Sequence, residues 1–122
     1  MVEVICDTNF LIHLATKRIK NLDFFDSEIG SLTFVVPNVV YYELEKLQNS
    51  KTKGEDIKKT LNLIKKFKRV SINGIYADRE ILELVKYKKC FVATMDKDLK
   101  KKIKNYGSNV LSLHNDKLIL ES

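Results

Sequence analysis

The stretch Val92-Ala93-Thr94-Met95-Asp96-Lys97-Asp98-Leu99 decides how this chain is read. Cys90 to Thr94 is a short apolar run, and from Lys97 to Tyr106 the apolar period becomes helical. An acid, Asp96, stands at the change of period. Apolar residues at successive positions suit a strand covered on both faces, as in a parallel sheet. Open sheets of that kind bind ligands beyond the carboxyl ends of their strands. Asp96 falls there.

The same switch recurs in both directions from this stretch. Val2 to Cys6 reads as a strand followed by a helix from Thr8 to Ala15, with Asp7 at the junction. A short helix is expected at Asn21 to Ile29, a strand at Thr33 to Val36, and a helix at Asn38 to Leu47 opened by Pro37. Asn49 to Gly54 is a polar loop, Glu55 to Phe67 a helix, and Val70 to Ile72 a short strand before the Asn73-Gly74 turn. Asp78 to Tyr87 is helical, Val110 to Leu113 is a last central strand, and Leu118 to Leu120 adds a short terminal one. Strand–helix alternation without repeat or linker predicts an α/β fold with a mainly parallel sheet. At 122 residues, the expectation is one domain spanning 1–122.

Composition narrows the class. Hydrophobic residues make up 44% and charged residues 31%, ordinary for a soluble globular protein. No apolar run approaches the ~20 residues of a membrane helix, and Glu3 and Asp7 interrupt the opening apolar stretch where a secretory signal would be uncharged. A cytoplasmic location without membrane attachment is expected. Cys6 and Cys90 stand alone in strand-like runs and read as small buried hydrophobes. The net charge of +6 comes from lysine runs such as Lys100-Lys101-Lys102. Such runs suit polyanion binding and solvated helix faces equally well.

The acids carry more information. Asp7 and Asp96 follow strands, and Glu43 lies on the side of its helix that carries Val39, Val40, Leu44 and Leu47. A carboxylate on an apolar face is costly unless paired or metal-bound. Asp78 opens the helix before the Cys90–Thr94 strand, where capping alone would account for it. Asp98 reads equally as a first-turn acid complementing the helix dipole. Convergence of Asp7, Glu43, Asp78 and Asp96 would set up repulsion of ~1–4 kcal/mol per pair at ~4 Å. Divalent cations offset such repulsion, and an oxygen-only set without histidine selects magnesium or manganese over zinc. His13 and His114 are isolated and read as structural.

In this order, the residues resemble the PIN-domain nucleases over nearly the whole chain. Asp7-Thr8-Asn9 resembles that family's first acidic motif, and Pro37-Asn38-Val39-Val40-Tyr41-Tyr42-Glu43-Leu44 its helix with the second acid. Ala77-Asp78 with Ile81-Leu82 is similar to the third motif, and Val92 to Leu99 to the fourth. Leu111-Ser112-Leu113 followed by Lys117-Leu118-Ile119-Leu120 looks like the archaeal stand-alone and ribosomal-RNA-processing branch. The resemblance implies a three-layer α/β/α sandwich around a five-stranded parallel sheet, and a homodimer. It also implies Mg2+- or Mn2+-dependent cleavage of single-stranded RNA. Asp7, Glu43, Asp78 and Asp96 would be the catalytic metal ligands, joined by Asp98, with Thr8, Asn9 and Thr94 in support. Lys97, Lys51 and Lys53 would hold the RNA backbone, and an antitoxin or a ribosomal-RNA-processing factor would be the protein partner. Tyr41 and Tyr42 suit packing or dimer contact, or stacking on bases.

Rival readings are weaker. A catalytically silent module of the same fold, binding RNA or acting in assembly, would not need all four acids. A haloacid-type phosphatase needs D-x-D, whereas Asp7 is followed by Thr8 and Asn9. A receiver domain wants paired acids and a late lysine after a strand, and no G-x-x-x-x-G-K phosphate loop occurs. A DNA-directed nuclease stays open, because metal-assisted phosphodiester hydrolysis does not itself read the sugar.

Overall fold

β1 (Val2–Cys6) is the strand around which the chain is arranged. Its residues Val4, Ile5 and Cys6 are all buried, so both of its faces are covered. β1 pairs in parallel with β2 (Leu32–Pro37) on one side. β3 (Lys68–Val70) adds beyond β2. On the other side of β1 lie β4 (Phe91–Ala93) and then β5 (Asn109–His114), both parallel. β6 (Lys117–Glu121) closes that edge antiparallel to β5. The order is β3-β2-β1-β4-β5-β6. The computed structural model describes residues 2–19 and 32–121, so the helix expected at Asn21 to Ile29 lies outside the described residues.

Helices cover both faces. α1 (Thr8–Thr16), α2 (Asn38–Leu47) and α3 (Gly54–Ile64) bury Phe10, Leu11, Val39, Val40, Leu44 and Ile57 against one face. The rings of Phe10 and Phe67 flank Phe34 of β2 at centroid distances of 5.9 and 5.6 Å. α4 (Ala77–Tyr87) and α5 (Lys97–Asn105) bury Ile81, Val85, Leu99 and Ile103 against the other face. Two apolar cores separated by a mainly parallel sheet make the α/β fold expected from the alternation and the three-layer sandwich that the resemblance implied. Cys6 and Cys90 are free thiols, Cys6 fully buried. Among the described residues no helix is long and apolar enough to cross a membrane.

Three local departures have physical reasons. The third strand was expected at Val70 to Ile72 and lies at Lys68–Val70. Ile72 leaves the ladder because its N–H turns back to the Val70 carbonyl and its own carbonyl accepts from Val39 N, fixing the start of α2. α3 stops at Ile64 rather than Phe67, as Lys66 and Phe67 close tight turns that swing the Phe67 ring onto Phe34. The sheet has six strands rather than the five that the resemblance implies. The strand expected at Leu118 to Leu120 joins it as β6, turned back by Asn115 and Asp116, whose positive φ of 52° and 59° is the conformation of a two-residue hairpin turn.

β6 is pinned through Glu121. Its carboxylate accepts from Lys100 Nζ at 2.9 Å, Lys104 Nζ at 3.0 Å and the Ser112 hydroxyl. Partial burial pushes its pKa up, but the Ser112, Lys100 and Lys104 hydrogen bonds outweigh this and hold it at about 2. A depressed carboxylate pKa stabilises the fold above the unfolded value near 4.5 and loses that contribution as pH falls toward 2. Glu121→Gln should therefore lower the melting temperature at pH 7 by about 3–6 °C. The difference from wild type should shrink in melts taken at pH 4 and then pH 3.

Candidate functional site

The strand order reverses at β1: the chain builds outward through β2 and β3, then crosses back to place β4 on the other side. A crevice forms at such a reversal, outside the carboxyl ends of the two central strands. Cys6 lies in register with Ala93, so the residues that follow, Asp7 and Thr94, emerge side by side. Asp7 N–H bonds the Ala93 carbonyl at 2.9 Å and Thr94 N–H the Leu111 carbonyl at 3.1 Å, extending the ladder by one step.

Asp7, Thr8, Asn9, Glu43, Ala77, Asp78 and Asp96 line one cleft of about 130 Å³ in this crevice. Asp7 and Asp96 come from the sheet edge. Glu43 descends from α2 in one helical layer, and Asp78 from the first turn of α4 in the other. Buried Ala77 between them presents only a methyl group. Acids from all three layers therefore face one space.

The three aspartates are held by local backbone. Asp7 Oδ1 accepts from Thr8 N at 2.8 Å, capping α1, while Oδ2 accepts from the Thr94 hydroxyl at 2.9 Å. Thr94 Oγ1 in turn accepts from Asp96 N at 3.2 Å, so one buried threonine links two acids. Asp96 caps α5 through Oδ1, which accepts from Asp98 N and Leu99 N. Asp78 is not the cap that its position suggested: α4 begins at Ala77 after Tyr76, and Asp78 Oδ1 takes only Arg79 N. Its carboxylate is correspondingly free to face the cleft.

Burial pushes the Asp7 pKa up; the Thr8 and Thr94 hydrogen bonds oppose this, and the charges of Glu43 and Asp78 add to the rise. The electrostatic coupling across the cleft is thus felt at its most buried member. Thr8 Oγ1 is also buried and meets no hydrogen-bonding partner. An orphaned buried hydroxyl costs about 1–3 kcal/mol, and this one sits in the lining of the cleft.

The expected ligand set is gathered only in part. Among the described residues no three His, Cys, Asp or Glu side chains stand close enough to hold a metal ion as placed. Asp7, Asp78 and Asp96 each turn one oxygen onto a nearby N–H group, so the acids share a cleft without clustering as ligands. Asp98 faces a neighbouring groove of about 360 Å³ between α4 and α5, which shares Asp78 and Asp96 with the cleft and adds Arg79 and Lys102. Sequence reasoning missed Arg79 and Lys102, since nothing distinguished them from the other exposed cations. Lys97 is exposed at the start of α5, and Lys51 and Lys53 are exposed before α3; none lines the cleft. His13 pairs with Asp116 at 3.2 Å, and exposed His114 ends β5, both outside the site.

A doubly wound sheet with an acid-lined crevice at its reversal defines a class, and the comparisons name the family within it. A family model described as a PIN-like domain matches residues 4–116. The solved structure of the PIN domain endonuclease Utp24 is similar at 33% sequence identity and a TM-score of 0.78, over 98% of this chain and 90% of that one. No curated protein matches the sequence. The chain belongs to the PIN-like domain family, and its fold is of the nuclease type that this endonuclease carries.

Because burial and the charges of Glu43 and Asp78 disfavour the ionised form of Asp7, Asp7→Asn should leave the melting temperature at pH 7 equal or raised. Asparagine retains cap and threonine contacts. A raised carboxylate pKa penalises the fold above that pKa, and the penalty vanishes below the unfolded value near 3.8. Any advantage of the variant should therefore disappear in melts taken from pH 7 down to pH 4.

Proposed function

We propose that this protein is an endoribonuclease that hydrolyses phosphodiester bonds of single-stranded RNA, with Mg2+ or Mn2+ held by Asp7, Glu43, Asp78 and Asp96. One observation carries the reading: carboxylates from the sheet edge and both helical layers line a single cleft, where burial, with the charges of Glu43 and Asp78 adding to it, raises the pKa of Asp7. Oxygen-only donors suit hard divalent ions, and the unpartnered Thr8 hydroxyl marks a place for a further polar ligand. The similarity to an endonuclease supports the same reaction class.

Bound there, such ions would neutralise the scissile phosphate and activate a water. The chain's own task is positioning. Thr94 fixes the orientation of Asp7 through Oδ2 and the backbone of Asp96 through its N–H, so the two central acids move as a unit. Asp96 keeps one oxygen on the α5 backbone and leaves Oδ2 for the cleft. Exposed Asn9 extends an amide into the lining, suited to orient a water or a phosphate oxygen.

The dispersed resting placement of the acids gives a specific foothold to the second reading, a catalytically silent RNA-binding or assembly module. Metal binding separates the two. Millimolar manganese should raise the melting temperature of the wild type and not of Asp7→Asn. Labelled single-stranded RNA incubated with manganese should be cut by the wild type and at least about a hundredfold more slowly by Asp96→Asn. Absence of both metal stabilisation and cleavage would leave the silent module.

A further inference from the structure

On the β3 side of the cleft the chain exposes aromatic surface that the acids do not explain. Tyr42 is 48% exposed and immediately precedes Glu43; Tyr76 is 61% exposed and immediately precedes Ala77. Adjacent Cα atoms are about 3.8 Å apart, so the backbones of both tyrosines stand at the rim of the cleft. Arg69, on the edge strand, lays its guanidinium over the rings of Tyr41 and Tyr42, 4.2 and 5.3 Å from their centroids.

This surface is organised. Arg69 Nε donates to Asn38 Oδ1, and Asn38 Nδ2 donates to Asn73 Oδ1 at 3.0 Å, tying β3, α2 and the loop that carries Tyr76. Gly74 has φ +144°, a backbone conformation that glycine adopts without strain, where the loop closes onto the Glu80 side chain of α4. Among the described residues Arg69 makes no ion pair with a carboxylate, although acids line the cleft beside it. A guanidinium resting on aromatic faces keeps its terminal N–H groups directed outward, in the fork that suits a phosphate.

Exposed rings beside an acid-free guanidinium match the two parts of an unpaired nucleotide. Every base has a π-face that stacks on tyrosine, and its phosphate takes the cation. A paired base is already stacked and offers no such face. We propose that Tyr42, Tyr76 and Arg69 form a subsite that stacks an unpaired base and holds its phosphate, leading a single strand into the acidic cleft. The proposal rests on the nuclease reading and supplies its preference for unpaired strand.

The test is fluorescence anisotropy of a labelled 12-nucleotide RNA, single-stranded or annealed to its complement. It is run in calcium, with the probe checked intact on a denaturing gel. Tyr42→Ala with Tyr76→Ala should weaken single-strand binding about tenfold or more and duplex binding little. Tyr42→Phe with Tyr76→Phe should stay within about twofold of wild type. Arg69→Ala should weaken binding and reduce the salt dependence by about one released counterion. Tyr42→Leu with Tyr76→Leu keeps apolar bulk without a ring and should behave as the alanine pair, which separates stacking from a folding defect. Equal single-strand affinity in wild type and the alanine pair overturns the subsite, as does a wild type that does not prefer the single strand; the surface then falls to a protein partner. Because binding is read without cleavage, failure here is distinct from failure of the Asp96→Asn cleavage test.

Discussion

The parallel pairing of β1 with β4 is the constraint from which the site follows. Each strand alone is unremarkable, but Cys6 opposite Ala93 places the last rung of the ladder directly beneath Asp7 and Thr94. Slipping that pairing by one residue would turn every side chain of β4 to the opposite face. Val92, packed with Ile81 and Val85, would exchange faces with Ala93, packed with the α1–α3 layer. Burial of both cores thus locks the register, and the register sets the distance between the two central acids. Packing far from the crevice therefore governs its geometry.

The resting crevice resolves a conflict between charge and chain direction. Acids placed after strands must also begin the helices that follow, and helix starts need acceptors for their unpaired N–H groups. Asp7 and Asp96 serve that need with one oxygen each, while Thr94 joins them. The arrangement keeps the carboxylates in one space without forcing them together.

Much of this was legible in the sequence because it is local. The change from continuous apolar runs to helical period gave the strand–helix order, and the junction acids followed from position alone. Glu43 was readable from spacing, since Val39, Val40 and Leu44 define the buried stripe beside it. What escaped depends on contacts between distant residues or on single carbonyls. Ile72 leaves its strand for a bond with Val39 that no spacing announces. Asp78 looked like a cap because aspartate favours that place, yet the helix starts at Ala77. Arg69 meets Tyr41 and Tyr42 only because β3 pairs beside β2, beneath the start of α2.

Three helices, α1, α4 and α5, begin at the cleft, and each carries roughly half a positive charge at its start. Against four formal carboxylates these ends supply about +1.5, leaving a field near −2.5 rather than −4. That residue still repels a polyanion. Two divalent cations would bring +4 and reverse the sign, so an RNA phosphate would be turned away from a bare crevice and drawn into a charged one. The helix starts bring the balance point within reach of a small ion load, so on the proposed function cation and polyanion uptake would each favour the other.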